Sequence, residues 1–141
     1  MSLNIKLYLI AFLSFVVADT IWIGFVMKSF YTQQMISFGR IVEGKFEPVL
    51  WAALIVYLFL SIGVVDFVLP KVAASADATG LLPVFLTGAL FGAVVYGTYD
   101  FTNLATVKDY SVKLALVDLG WGAFVTGLVS VVTKYVGGLW S

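Results

Sequence analysis

The block Tyr96-Gly97-Thr98-Tyr99-Asp100-Phe101-Thr102-Asn103-Leu104-Ala105-Thr106 ends a run that is almost wholly apolar from Leu81 onward. As a helix, an apolar run of about twenty residues rises about 30 Å, the thickness of a bilayer's hydrocarbon core. The hydroxyl, amide and carboxylate groups gathered at its end read as the polar mouth of a membrane helix. If the helical period continues into the block, Tyr96, Asp100 and Asn103 share one face at i, i+4 and i+7. Tyr99, Asn103 and Thr106 then share the neighbouring stripe.

Three further runs have the same character. Together they place spans at residues 7–27, 49–69, 81–99 and 114–136. The composition agrees, since 62% of residues are hydrophobic and 11% charged, against roughly half apolar in soluble domains. The expected fold is an all-α polytopic membrane protein, with four transmembrane helices in a single antiparallel bundle. Residues 1–141 then form one transmembrane domain. Val16-Val17-Ala18 has the small-residue character of a signal-peptidase site, but apolar residues resume from Ile21 to Met27, so the segment is read as a span.

Proline marks the span limits. Pro48 and Pro83 suit first helical turns, and Pro70 is expected to stop the second span. Residues 28–47 form the longest loop. An interfacial helical turn is expected there from the apolar edge of Phe30, Tyr31, Met35, Ile36 and Phe38. Residues 71–80 form a short loop, and residues 100–113 form a third loop or a helical extension. Gly88 and Gly92 with Ala89 and Ala93, and Gly122, Ala123 and Gly127, permit close helix approach, expected mainly within the bundle. Lys28, Arg40, Lys45, Lys108 and Lys113 on one side outnumber Lys6, Lys71 and Lys134 on the other. The positive-inside rule then sets both termini outside. Tyr8, Tyr135 and Trp140 are expected in one interfacial belt, and Trp51, Tyr31 and Tyr110 in the other.

What the chain lacks limits its chemistry. Cysteine and histidine are absent, which removes disulfides, haem and copper sites, imidazole relays and thiolate nucleophiles. The formal net charge is zero, and nothing favours nucleic acid as a partner. No metal-ligand pattern or cofactor motif is present. Without a lysine deep in a span, retinal-type Schiff-base chemistry is disfavoured as well.

Carboxylates remain. An aspartate near mid-span costs about 2.5–3.5 kcal/mol unless it faces a partner or water, so Asp19 must face inward. Counting along the spans, Asp19 lies roughly 13 Å and Asp118 roughly 7 Å below the surface at which Asp100 emerges. Asp66 lies at the other end and stands apart. Asp19 and Asp118 are each followed three residues later by tryptophan, in Asp19-Thr-Ile-Trp22-Ile-Gly24 and Asp118-Leu-Gly-Trp121-Gly122. A carboxylate beside an aromatic face can hold an organic cation or a sugar-like head group. The candidate ligand-binding set is therefore Asp19, Trp22, Tyr96, Tyr99, Asp100, Asn103, Asp118 and Trp121, with no catalytic residue named.

The blocks YGTYDFTNLATVKDY from Tyr96, DLGWG from Asp118 and DTIWIG from Asp19, with Phe30-Tyr31 after the first span, resemble a family of small bacterial membrane proteins. The family is catalogued as domain of unknown function 2177. The resemblance covers essentially the whole chain and implies a four-helix protein of the bacterial inner membrane, its termini periplasmic by the charge count. It implies no activity.

Function classes can be ordered. First comes a membrane protein whose acidic and aromatic site binds a polar head group or small amphiphile. Second is a small proton-coupled transporter acting as a homodimer. An intramembrane enzyme using Asp100 and Asp118 as acid and base ranks third, for want of a nucleophile or metal signature, and a purely structural subunit is the fourth. The expected partners are the lipid bilayer, an amphiphilic ligand and further copies of the chain.

Overall fold

The computed structural model describes residues 3–75 and 79–139. Four helices are long and apolar enough to cross a membrane: Asn4–Val26, Leu50–Ala73, Leu81–Thr106 and Val112–Gly138. The first comprises α1 (Leu3–Ile21) and a π-helical turn at Trp22–Val26. A short α2 (Lys28–Gln34) follows, then a hairpin of β1 (Ile41–Val42) and β2 (Lys45–Phe46). The second span joins α3 (Leu50–Ile62), a π-helical segment at Gly63–Val68 and α4 (Leu69–Ala73). The third and fourth are α5 (Leu81–Thr106) and α6 (Val112–Gly138). The chain is therefore an all-α polytopic membrane protein whose helical spans form one bundle.

Burial follows the helical period. Ala11, Phe15 and Asp19 are buried at successive i+4 positions of α1. Ala11 and Phe15 meet Leu60 and Val64 of the second span and Val125 and Val129 of α6, with Tyr57, Val95, Tyr96 and Trp121 packed around them. The outward faces carry Leu13, Phe59, Leu90, Val94 and Phe101, all exposed and apolar, as a lipid-facing surface requires. Three of the buried hydroxyls are spent inside their own helices, whereas Thr126 Oγ1 has no partner among the described residues. Ser61, Ser130 and Thr133 each donate to the carbonyl four residues back, at 2.7 Å.

The small residues bring α5 and α6 together as the most extensively packed pair. A Cβ at Gly88 would meet Ser130 and the Thr126 carbonyl, one at Gly92 would meet the Gly122 carbonyl and Thr126, and one at Gly122 would overlap the Tyr96 ring. This stripe is consumed within the bundle, as the sequence led us to expect.

Some boundaries differ from the sequence reading. Past Tyr99 the helix of the third span runs on to Thr106, the helical extension that the sequence allowed, where Val107 N donates to the Asn103 carbonyl and closes it. Pro70 does not stop the second span. It sits in the first turn of α4, directly after the π-helical segment, at a position where its missing N–H is tolerated. Pro48 lies before the helix, since Val49 is the N-cap of α3. The loop of residues 28–47 contains the expected helical turn and also an unexpected hairpin, turning at Glu43 (φ 49°) and Gly44 (φ 75°). Trp140 lies outside the described residues.

Candidate functional site

Three carboxylates enter one half of the bundle from three helices. Asp19 from α1 is 6% exposed and Asp100 from α5 is wholly buried, while Asp118 from α6 is half-buried. Each has donors. Trp121 Nε1 donates to Asp19 Oδ1 at 2.7 Å, and Tyr57 reaches the same carboxylate from α3. The Tyr31 hydroxyl donates to Asp118 Oδ1 at 2.7 Å and itself accepts from Trp22 Nε1 at 3.2 Å. The Tyr110 hydroxyl donates to Asp100 Oδ1 at 2.6 Å. The carboxyl groups of Asp100 and Asp118 lie within hydrogen-bonding reach of each other.

The repeated Asp-x-x-Trp now has a geometric meaning. The tryptophan that follows Asp118 serves Asp19, and the one that follows Asp19 serves Asp118 through Tyr31. Between them the indole rings of Trp22 and Trp121 stack with centroids 4.4 Å apart and planes 3° from parallel. The π-helical turn that carries Trp22 closes through Met27 N to the Trp22 carbonyl at 2.7 Å. Tyr96 lies near Asp19, Asp118, Tyr57 and Tyr31, its ring seated on Gly122.

Two tyrosines outside the spans close the mouth. Burial, then the negative field of Asp118, pushes the Tyr31 phenol well above its ordinary range. Burial, then its hydrogen bond to Asp100, does the same to Tyr110. Both phenols are thus held as donors. Their segments are tied together by Ser111 Oγ donating to Gln34 Oε1 at 2.5 Å and by the Phe38 and Tyr110 rings, 5.3 Å apart. Ser111 also caps α6, accepting from Leu114 N at 2.9 Å.

Of the candidate residues, Asp19, Trp22, Tyr96, Asp100, Asp118 and Trp121 come together. Tyr99 is 59% exposed and stands at the edge, where Asn103 reaches both it and Tyr110. Thr106 donates back to the Thr102 carbonyl and so does not join the site. Asp66 is remote, as expected, accepting from Tyr8 at 2.6 Å. Tyr31, Tyr57 and Tyr110 were missed as site residues. A lone phenol inside the apolar run of α3 needs a polar partner, and that signal alone could have flagged Tyr57.

A shallow groove runs beside the cluster between α1 and α6, with a volume of about 510 Å³. Leu13, Val17, Ala18 and Ile21 line it on one side and Trp121, Leu128, Val129 and Val132 on the other, with Ser14 the one hydroxyl. Leu13, Val17 and Ile21 are more than half exposed, so the groove opens toward lipid.

No curated protein and no solved structure matches the chain. The family described as predicted membrane protein DUF2177 matches residues 4–135. Four apolar spans, the carboxylates they carry and a match over nearly the whole length lead to one assignment: the chain belongs to this family of predicted membrane proteins.

Proposed function

We infer that the protein binds an amphiphile from the bilayer, its apolar chain in the α1/α6 groove and its polar head group at the acidic and aromatic cluster. The observation that carries this reading is the place of Trp121, which lines the groove and donates its indole N–H to Asp19. A molecule along the groove therefore reaches the polar network without crossing the packed core. From Leu13 to Ile21 the groove follows roughly 12 Å of helix, enough for a medium-length acyl or prenyl segment.

Charge selects the head group. The groups acting on Asp19, Asp100 and Asp118 are phenols, indoles and one another, and none of them is a lysine or arginine. Such a site favours a cationic or donor-rich head, an amine or a polyol, over a phosphate alone. The charge bias of the loops supports an inner-membrane orientation with both termini outside.

Native mass spectrometry of gently extracted protein tests this reading. Wild type should retain one amphiphile, and Ala18→Phe, which fills the groove, and Asp19→Asn should both lose it while remaining folded. Retention of the same species by both variants would overturn the reading. A second reading, proton-coupled transport by a homodimer, draws on the acidic and phenolic groups that extend from Asp19 near mid-span to Tyr110 at the surface. It predicts proton-linked flux that Asp19→Asn abolishes.

A further inference from the structure

The hydrogen bonds around Asp100 and Asp118 leave one position unfilled. Asp100 Oδ1 accepts from Tyr110 and Asp118 Oδ1 from Tyr31, at 2.6 and 2.7 Å. Asp100 is wholly buried, and its Oδ2 has no donor among the described residues. The Asp118 carboxyl lies within hydrogen-bonding reach of the Asp100 carboxyl. An ionised carboxylate only accepts, so two of them this close repel each other and Asp118 gives Asp100 Oδ2 no donor. Such an arrangement inside a bundle calls for a positive charge or a proton between them.

The neighbours supply neither. Tyr31 faces the pair from α2 and Tyr110 from the connection before α6, while Tyr99 and Asn103 approach from α5. Asp19 of α1 adds only further negative charge at longer range. None of these groups is cationic, and both capping hydroxyls already give their protons to the Oδ1 atoms of the two carboxylates. No group of three metal-ligating side chains occurs among the described residues. A single proton completes the set, converting one carboxyl into a donor toward the other.

We propose that Asp100 and Asp118 share one exchangeable proton, making the pair a proton-binding site beneath a cap formed by Tyr31 and Tyr110. The proton exchanges with water at the surface where the Tyr110 segment emerges, and the Gln34–Ser111 hydrogen bond holds the two halves of the cap over it. Neither aspartate lines the groove, so the head group of the proposed amphiphile meets Asp19 through Trp121 and leaves this proton in place.

Infrared spectroscopy of the lipid-reconstituted protein at neutral pH, in water and in deuterium oxide, reads this proton directly. Wild type should show one protonated-carboxyl stretch that moves on deuteration and moves again when aspartate carries ¹³C at its side-chain carboxyl. The band should vanish in both Asp100→Asn and Asp118→Asn, whose amide N–H takes over the proton's role, and persist in Asp19→Asn. Should an asparagine variant fail to fold, Tyr31→Phe and Tyr110→Phe replace it, each removing one donor from the pair and so shifting the band. The absence of any such band in wild type overturns the proposal, as does a band that survives in a folded pair variant or one that neither tyrosine variant moves.

Discussion

Trp22 and Trp121 lie ring on ring, 4.4 Å between centroids, and each indole N–H serves the carboxylate that precedes the other tryptophan in sequence, directly for Asp19 and through Tyr31 for Asp118. The first and last spans are thereby locked at one depth. A carboxylate buried in an apolar bundle is tolerated because an indole from the facing helix satisfies it.

Trp121→Phe keeps the aromatic ring but deletes the donor to Asp19. Loss of a hydrogen bond to a buried charged group should cost about 1.5–3 kcal/mol. Denaturant titration of the detergent-solubilised protein checks this, and in the Asp19→Asn background the same change should cost clearly less. Equal costs in the two backgrounds would show that the contact carries no coupling.

Gly122→Ala should be among the most damaging small substitutions, because the new methyl group would overlap the Tyr96 ring that sits among Asp19, Tyr31 and Asp118. Overpacking of this kind costs about 1–3 kcal/mol. Gly120→Ala, two residues away on the same helix, meets nothing and should unfold at or above the wild-type midpoint, since alanine is the better helix former by about 1 kcal/mol. Comparing the two thermal midpoints separates packing from helix propensity.

Alkaline stability should depend on Tyr31. Its phenol titrates higher when folded than when unfolded, so its contribution is fully present below the unfolded value of about 10. That contribution is lost as pH rises from there toward the folded value, since only the unfolded chain gives up the proton. Tyr31→Phe should therefore be less stable than wild type at neutral pH and should lose less stability on going to strongly alkaline solution. A pH series of unfolding midpoints for the two proteins gives the comparison, and parallel curves would contradict it.

Ser111→Ala removes both the N-cap of α6 and the donor to Gln34. The cap alone contributes about 0.5–2 kcal/mol. Amide hydrogen exchange should rise in α2 as well as in the first turn of α6, because the lost Gln34 contact is one of the links between them, beside Tyr31 to Asp118. Faster exchange confined to α6 would place no part of the cap on that bond.

The architecture was readable because membrane spans announce themselves. Four apolar runs can hide their backbone polar groups from lipid only as helices, and the cost of an aspartate in mid-span already put Asp19 on an inward face. The small residues from Gly88 to Gly127 likewise could be placed inside the bundle. Less legible was anything decided between segments far apart in sequence. Tyr31 reaches Asp118 across 87 positions and Trp121 reaches Asp19 across 102, and no periodicity encodes such pairings. The Asp-x-x-Trp echo was visible, but its crossed exchange of donors needed two facing helices to be seen. Pro70 misled because its cost depends on the turn before it, and a π-helical segment removes that cost. The hairpin at Glu43-Gly44 could have been found from Ile41-Val42 and Lys45-Phe46 flanking a two-residue turn with glycine.

The central claim, that an amphiphile lies along the α1/α6 groove with its head at the Asp19 and Trp121 end, is tested most directly by photo-crosslinking. The protein would be reconstituted with an amine-headed lipid carrying a diazirine in its acyl chain, and the labelled residues mapped by mass spectrometry. The account predicts labelling concentrated on Leu13, Val17, Leu128 and Val132, and reduced there by Ala18→Phe. Labelling spread evenly over equally exposed lipid-facing positions such as Phe59, Leu90 and Phe101, and unchanged by that substitution, would contradict it.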